Sequence, residues 1–158
     1  MRSRYALALL GLLLVPSLAF GATGFSTTLS GLQEVPPNAS NGAGTAVVVL
    51  NNAQTQFTYS VTFTGLTGNT TASHIHKAAI GVNGGVIFGF SPPLGVTSGA
   101  FNGVVNPTAA QVADLFAGLY YVNIHSNVFP GGEIRGQLAG DVTPAQRGTW
   151  GRIKSFYR

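Results

Sequence analysis

Very few side chains in this protein could do chemistry. Three histidines, His74, His76 and His125, and four carboxylates, Glu34, Asp114, Glu133 and Asp141, stand among 158 residues that include no cysteine. His74 and His76 are one residue apart in SHIHK. On a β-strand, side chains at i and i+2 share a face, so these two imidazoles stand together. The same parity rule applies near the other end of the chain. In YVNIHS, Val122 and Ile124 would face a core, and Tyr121, Asn123 and His125 would face outward. In EIRGQL, Ile134 and Leu138 would face the core, and Glu133, Arg135 and Gln137 would face outward. Pairing of these two stretches across NVFPGG brings His125 near Glu133. A fold that sets all three segments side by side collects His74, His76, His125 and Glu133. Three neutral imidazoles, with or without a carboxylate, bind copper or zinc, and Asn123 and Arg135 would surround such ligands. The competing reading is three histidines on the wet side of a sheet, hydrogen-bonded to their neighbours.

Other chemistry is largely excluded. Without cysteine there are no disulfides and no thiolate zinc sites. There is no Gly-x-Ser-x-Gly and no phosphate-cradling glycine loop. Residues 81–85, GVNGG, read as a turn ahead of a strand. Arg135 reads as the partner of Glu133 or another carboxylate, with anion stabilisation as the alternative. Glu34, in LQEVPP, reads as a loop residue hydrogen-bonded to backbone amides. Asn38-Ala39-Ser40 and Asn69-Thr70-Thr71 match glycosylation acceptors, which matter only in a eukaryotic secretory host.

The elements that must position these residues are short strands. The chain has 22 glycines, 45% hydrophobic residues and only 8% charged ones, too apolar for disorder and poor in long helix formers. QFTYSVTFT alternates Phe57, Tyr59, Val61 and Phe63 with Thr58, Ser60, Thr62 and Thr64, which predicts a half-buried antiparallel strand. One helix is predicted after Asn106-Pro107, with Thr108 and Gln111 as a capping box, Val112, Leu115 and Phe116 as its apolar stripe, and Gly118 closing it. Seven or eight strands with this one short helix predict an all-β, Greek-key-type antiparallel β-sandwich.

The N-terminus has the layout of a secretory signal peptide. Arg2 and Arg4 precede an apolar run from Ala6 to Val15, and small residues follow at Ser17, Ala19, Gly21 and Ala22. The expected organisation is a signal over 1–22, a domain over 23–141 and a basic tail over 142–158. The apolar run is short of the ~20 residues that span a bilayer, and no later segment reads as transmembrane. The address is therefore secreted, periplasmic or extracellular. The formal charge of +4 is unevenly spread. Residues 23–141 carry Lys77 and Arg135 against four acids, whereas 142–158 carry Arg147, Arg152, Lys154 and Arg158 with none. The domain therefore has no basic groove for nucleic acid. In the tail, Trp150, Ile153 and Tyr157 line one side of a short helix that could contact an anionic surface.

Three stretches taken together, LSGLQEVPPNASNGAG, GLTGNTTASHIHKAAIGVNGGVI and AGLYYVNIHSNVFPGGEIRGQL, resemble the CHRD domain. This module takes its name from the developmental antagonist chordin and also occurs singly in secreted bacterial proteins. The likeness runs from about Leu29 to Ala139 and implies an extracytoplasmic β-rich domain without implying an activity. The His-x-His strand with a later His and Arg also looks like part of the copper–zinc superoxide dismutase pattern. The chain departs from that pattern in lacking the cysteine pair, the full histidine set and the zinc-loop acids. That likeness implies architecture and copper rather than dismutation. The functional expectation is an exported module that holds copper or zinc for storage, delivery or stiffening. The alternatives are a cofactor-free module that binds a protein partner and, further off, a redox enzyme.

Overall fold

In the computed structural model, residues 22–140 are described, and the signal-peptide and tail expectations lie outside them. Eight strands run β1 (Thr23–Ser30), β2 (Ala43–Leu50), β3 (Phe57–Thr64), β4 (Thr70–Lys77), β5 (Gly85–Phe90), β6 (Gly99–Val105), β7 (Tyr120–Ser126) and β8 (Ile134–Gln137). A two-residue β9 (Ala139–Gly140) pairs with β1, and one helix, α1 (Ala109–Phe116), precedes β7. Every pairing is antiparallel, in the order β5-β4-β7-β8-β1-β2-β3-β6. The sheet curls so that its two ends face each other, with Tyr59 of β3 stacked on Phe90 of β5 at 3.9 Å. Phe57 meets Phe88 edge-on in the same interface. This is the expected all-β sandwich with one short helix.

The alternating residues of β3 fall as their period requires. Phe57, Tyr59, Val61 and Phe63 are buried, and Thr58, Ser60, Thr62 and Thr64 are exposed. Helix α1 starts with the reciprocal Thr108–Gln111 capping box and ends before Gly118, whose φ of +69° suits glycine. Val112 and Leu115 bury against the sheet, while Phe116 stays half exposed with its ring edge-on to Phe25.

The strands that carry the histidines, β4 and β7, sit side by side, with β8 next to β7. Their inward residues Ile75, Val122, Ile124 and Ile134 are each 0% exposed. Burying each such side chain stabilises the fold by roughly 1.5–3 kcal/mol and locks the register. The pairing places His74 opposite Asn123 and Asn123 opposite Arg135. It also places His76 opposite Tyr121 and Tyr121 opposite Gln137.

The polar face of this half of the sheet is not wet. All seven residues of β7 are buried, Tyr121, Asn123 and His125 among them. Three loops roof them. Asn83 donates through Nδ2 to Val35 O at 2.7 Å, tying the β4–β5 loop to the β1–β2 loop. Asn38 donates to Gly132 O at 3.2 Å and Glu133 O at 3.0 Å, tying the β1–β2 loop to the β7–β8 loop. The outward parity holds, and the competing reading of a wet face does not. A period of two decides the side of a sheet and says nothing about what lies over it.

Candidate metal centre

Under this roof three imidazoles converge. One ring nitrogen from each of His74, His76 and His125 lies within 4.8 Å of the others. His76 and His125 are 9% and 8% exposed, and His74 is half-buried. Two backbone carbonyls hold two of the rings. His76 Nδ1 meets Gly84 O at 2.9 Å, and His125 Nδ1 meets Pro130 O at 3.0 Å. A carbonyl only accepts, so each Nδ1 carries its proton and each Nε2 presents a lone pair. The Nε2 of His76 is buried and has no hydrogen-bond partner. The Nε2 of His125 accepts from His74 Nδ1 at 3.0 Å.

An imidazole tautomer fixed by a second hydrogen bond, with the other nitrogen turned inward, is how histidines are prepared for a metal. Buried polar atoms without partners are uncommon, and a divalent cation would satisfy the bare Nε2 of His76. A second, charging proton is disfavoured on all three rings. Burial lowers the pKa of His74, reinforced by His76. Burial lowers that of His76, with Arg135 adding to it and the Gly84 bond opposing. Burial lowers that of His125 against the Pro130 bond, helped by His74 and His76. The site thus presents neutral donors, as copper and zinc require.

A layered stack supports one wall. The Tyr121 ring lies 4.9 Å from that of His76 and tilts only 7° from it. The Arg135 guanidinium lies 3.5 Å from the Tyr121 centroid. Tyr121 Oη accepts from Gly84 N at 3.0 Å, so the tyrosine also fixes the turn whose carbonyl orients His76. The turn in GVNGG is therefore part of the site. The Gly84 and Pro130 carbonyls could not be picked out from the sequence, because backbone acceptors leave no residue signature, whereas strand parity puts Tyr121 on this face without giving it a role.

Glu133 does not join the imidazoles. Its Oε1 accepts from Ser40 Oγ at 2.6 Å and from the Thr67 amide, and its Oε2 accepts from the Gly68 amide at 3.3 Å. Burial pushes this carboxyl up, but hydrogen bonds from the Ser126 and Ser40 hydroxyls and the two amides outweigh it and leave the pKa lowered. Glu133 lies one residue before β8 begins, so strand parity does not aim its side chain. Arg135 likewise forms no ion pair with it: among the described residues the ion pair is Lys77 with Asp114. Arg135 donates instead to Val82 O, Asn83 Oδ1 and Gln137 Oε1. Asn123 sits between His74 and Arg135 across the ladder.

The carboxylate beside the site is Glu34, at the end of the 3-10 turn Gly31–Gln33. It is 7% exposed, and its Oε1 has no hydrogen-bond partner, so the expected role of gathering loop amides is corrected for this oxygen. A Cβ built at Gly132 would fall 2.7 Å from both Glu34 Oε1 and Asn123 Oδ1; with φ at +139°, only glycine suits this close approach. Burial raises the Glu34 pKa from 4.5 to about 7, against the opposing pull of Arg135 and Asn123.

The folded state therefore holds a Glu34 proton that the unfolded chain has lost. This penalty is absent below pH 4.5, grows as pH rises to about 7, and is fully present above it. Glu34→Gln is expected to add up to about 3 kcal/mol at pH 8 and nothing at pH 4. Urea melts of both forms across this range check it, and a pH-independent difference would contradict the assignment.

Sequence comparison adds the lineage. The family model described as CHRD domain matches residues 25–138. The chain belongs to the CHRD-domain family. The match contains the whole histidine cluster, Glu34, Tyr121 and Arg135, so the site is built from the CHRD domain itself. No curated protein matches this chain, and no solved structure matches it. Among the described residues of this CHRD domain, no helix is long and apolar enough to cross a membrane.

Proposed function

We propose that this is an exported CHRD-domain protein that binds one copper or zinc ion through His74, His76 and His125, for storage, delivery or stiffening of the domain. The observation that carries the reading is the convergence of three neutral imidazoles, two of them oriented by the carbonyls of Gly84 and Pro130. Asn123 and Arg135 flank the ligands, and Glu133 belongs to the loop scaffold. The hydrogen bond that His74 shares with His125 breaks when a cation enters, and its proton stays on His74, so uptake above pH 6.5 releases no net proton. The signal-like leader supports export, which suits a metal carrier working where thiols are of little use.

The test is elemental analysis of protein purified without a histidine tag. The expected result is about one equivalent of metal per chain after exposure to copper or zinc, with a higher melting temperature. Protein that takes up neither ion and melts unchanged would overturn the proposal.

A further inference from the structure

Beside the imidazoles the roof leaves a cavity of about 410 Å³, within the size range of small-molecule sites. Leu32, Val35, Pro37 and Ile80 line its apolar side, and Glu34 and Arg135 line its polar side. The geometry points to this cavity as a binding site for a small organic monocarboxylate, its charged end on Arg135 and its apolar body between Leu32 and Ile80. The site does not depend on a metal being held by the neighbouring histidines.

Charge carries the first half of the inference. Arg135 is 2% exposed, and no carboxylate lies within ion-pair distance of it among the described residues. Its hydrogen bonds go to neutral oxygens of Val82, Asn83 and Gln137. The carboxylate that acts on it electrostatically, Glu34, stays beyond ion-pair distance, so the buried guanidinium lacks a direct ionic contact, and its planar fork matches a carboxylate. Glu34 lines the same cavity with an unpartnered Oε1, and in its protonated form it donates to an incoming carboxylate instead of repelling it. Shape carries the second half. Leu32 and Ile80 are each 79% exposed, so large apolar side chains stand in water at the mouth of a cavity with a cationic floor. An apolar chain with one anionic end satisfies both parts, and a dianion would find only one cation.

Arg135 is itself packed into the Tyr121 stack, so exposed rim residues make safer variants. Butanoate and benzoate, with butanamide and benzamide as neutral controls, are titrated into the full chain and followed by amide chemical shifts. The measurement is repeated after treatment with a chelator. The expected result is saturable shifts around Glu34, Ile80 and Arg135, with each carboxylate at least about tenfold tighter than its amide, before and after chelation. Leu32→Glu and Ile80→Glu are expected to weaken the carboxylates at least about tenfold by like-charge repulsion, with the melting temperature and metal content unchanged. Equal binding of acid and amide, indifference to both rim variants, or absence of shifts would overturn the site. Binding abolished by chelation would move the carboxylate onto the metal and equally overturn it.

Discussion

His76→Ala is expected to weaken copper or zinc binding by well over about 100-fold, because the loss of a partner outside the ligand set alone costs about 10–100-fold. His76 carries the prediction because its Nε2 is the one ring nitrogen both buried and without a partner, and Gly84 fixes its tautomer. The metal-dependent rise in stability should go with it. At metal concentrations about 100 times Kd that rise is about 2.7 kcal/mol in the unaltered protein, or roughly 10 °C for a domain of this size. The variant should still fold, since Ile75 and Ile124 beneath the site are untouched; near-ultraviolet circular dichroism provides that check. In the unaltered protein the three lowered pKa values put proton competition below pH 6.5. Affinity should therefore stay flat from pH 8 to pH 7 and fall only in acid. Isothermal titration of both proteins decides the matter, and undiminished affinity in His76→Ala would remove the site.

Glu133→Gln should do the reverse, costing stability and sparing the metal. The carboxylate ties Ser40 to the amides of Thr67 and Gly68, and it is 0% exposed. Hydrogen bonds to a charged group contribute about 1.5–3 kcal/mol each, and an amide side chain turns one acceptor into a donor facing donors. A loss of about 3 kcal/mol is expected at pH 7. Because the folded pKa is depressed, the contribution of ionised Glu133 is present above pH 4.5 and is lost as pH falls through the folded value. The difference between the two proteins should therefore shrink in acid. Denaturant melts paired with metal titrations separate the roles: a metal affinity that falls with Glu133→Gln would return Glu133 to the ligand set.

These two variants also mark what was legible in the sequence. Period-two alternation placed the faces of β3, the Thr108–Gln111 box placed α1, and His-x-His with a third histidine on the same parity identified the cluster that the fold assembles. Those are local rules, and the structure obeys them. Glu133 stands just before its strand, where parity ends and loop geometry takes over. Glu34 gave no sign of lying beside Asn123, because 89 residues separate them and only tertiary folding joins LQEVPP to β7. The roof itself is made of Asn–carbonyl bonds between three loops, for which no periodicity exists.

The position of β1 in the middle of the sheet has a consequence for when the site can exist. β1 pairs with β2, its neighbour in sequence, and with β8, where Ser30 meets Arg135 more than a hundred residues later. Closing so long a loop is slow and comes late, because its entropy must be met before the contact offers anything in return. His125, Pro130 and Arg135 all belong to that last segment, so a chain still being made, or one truncated after β6, has two histidines and no pocket. The three-imidazole site is therefore assembled only in a finished domain, and an ion held by all three histidines would mark a chain that has completed its fold.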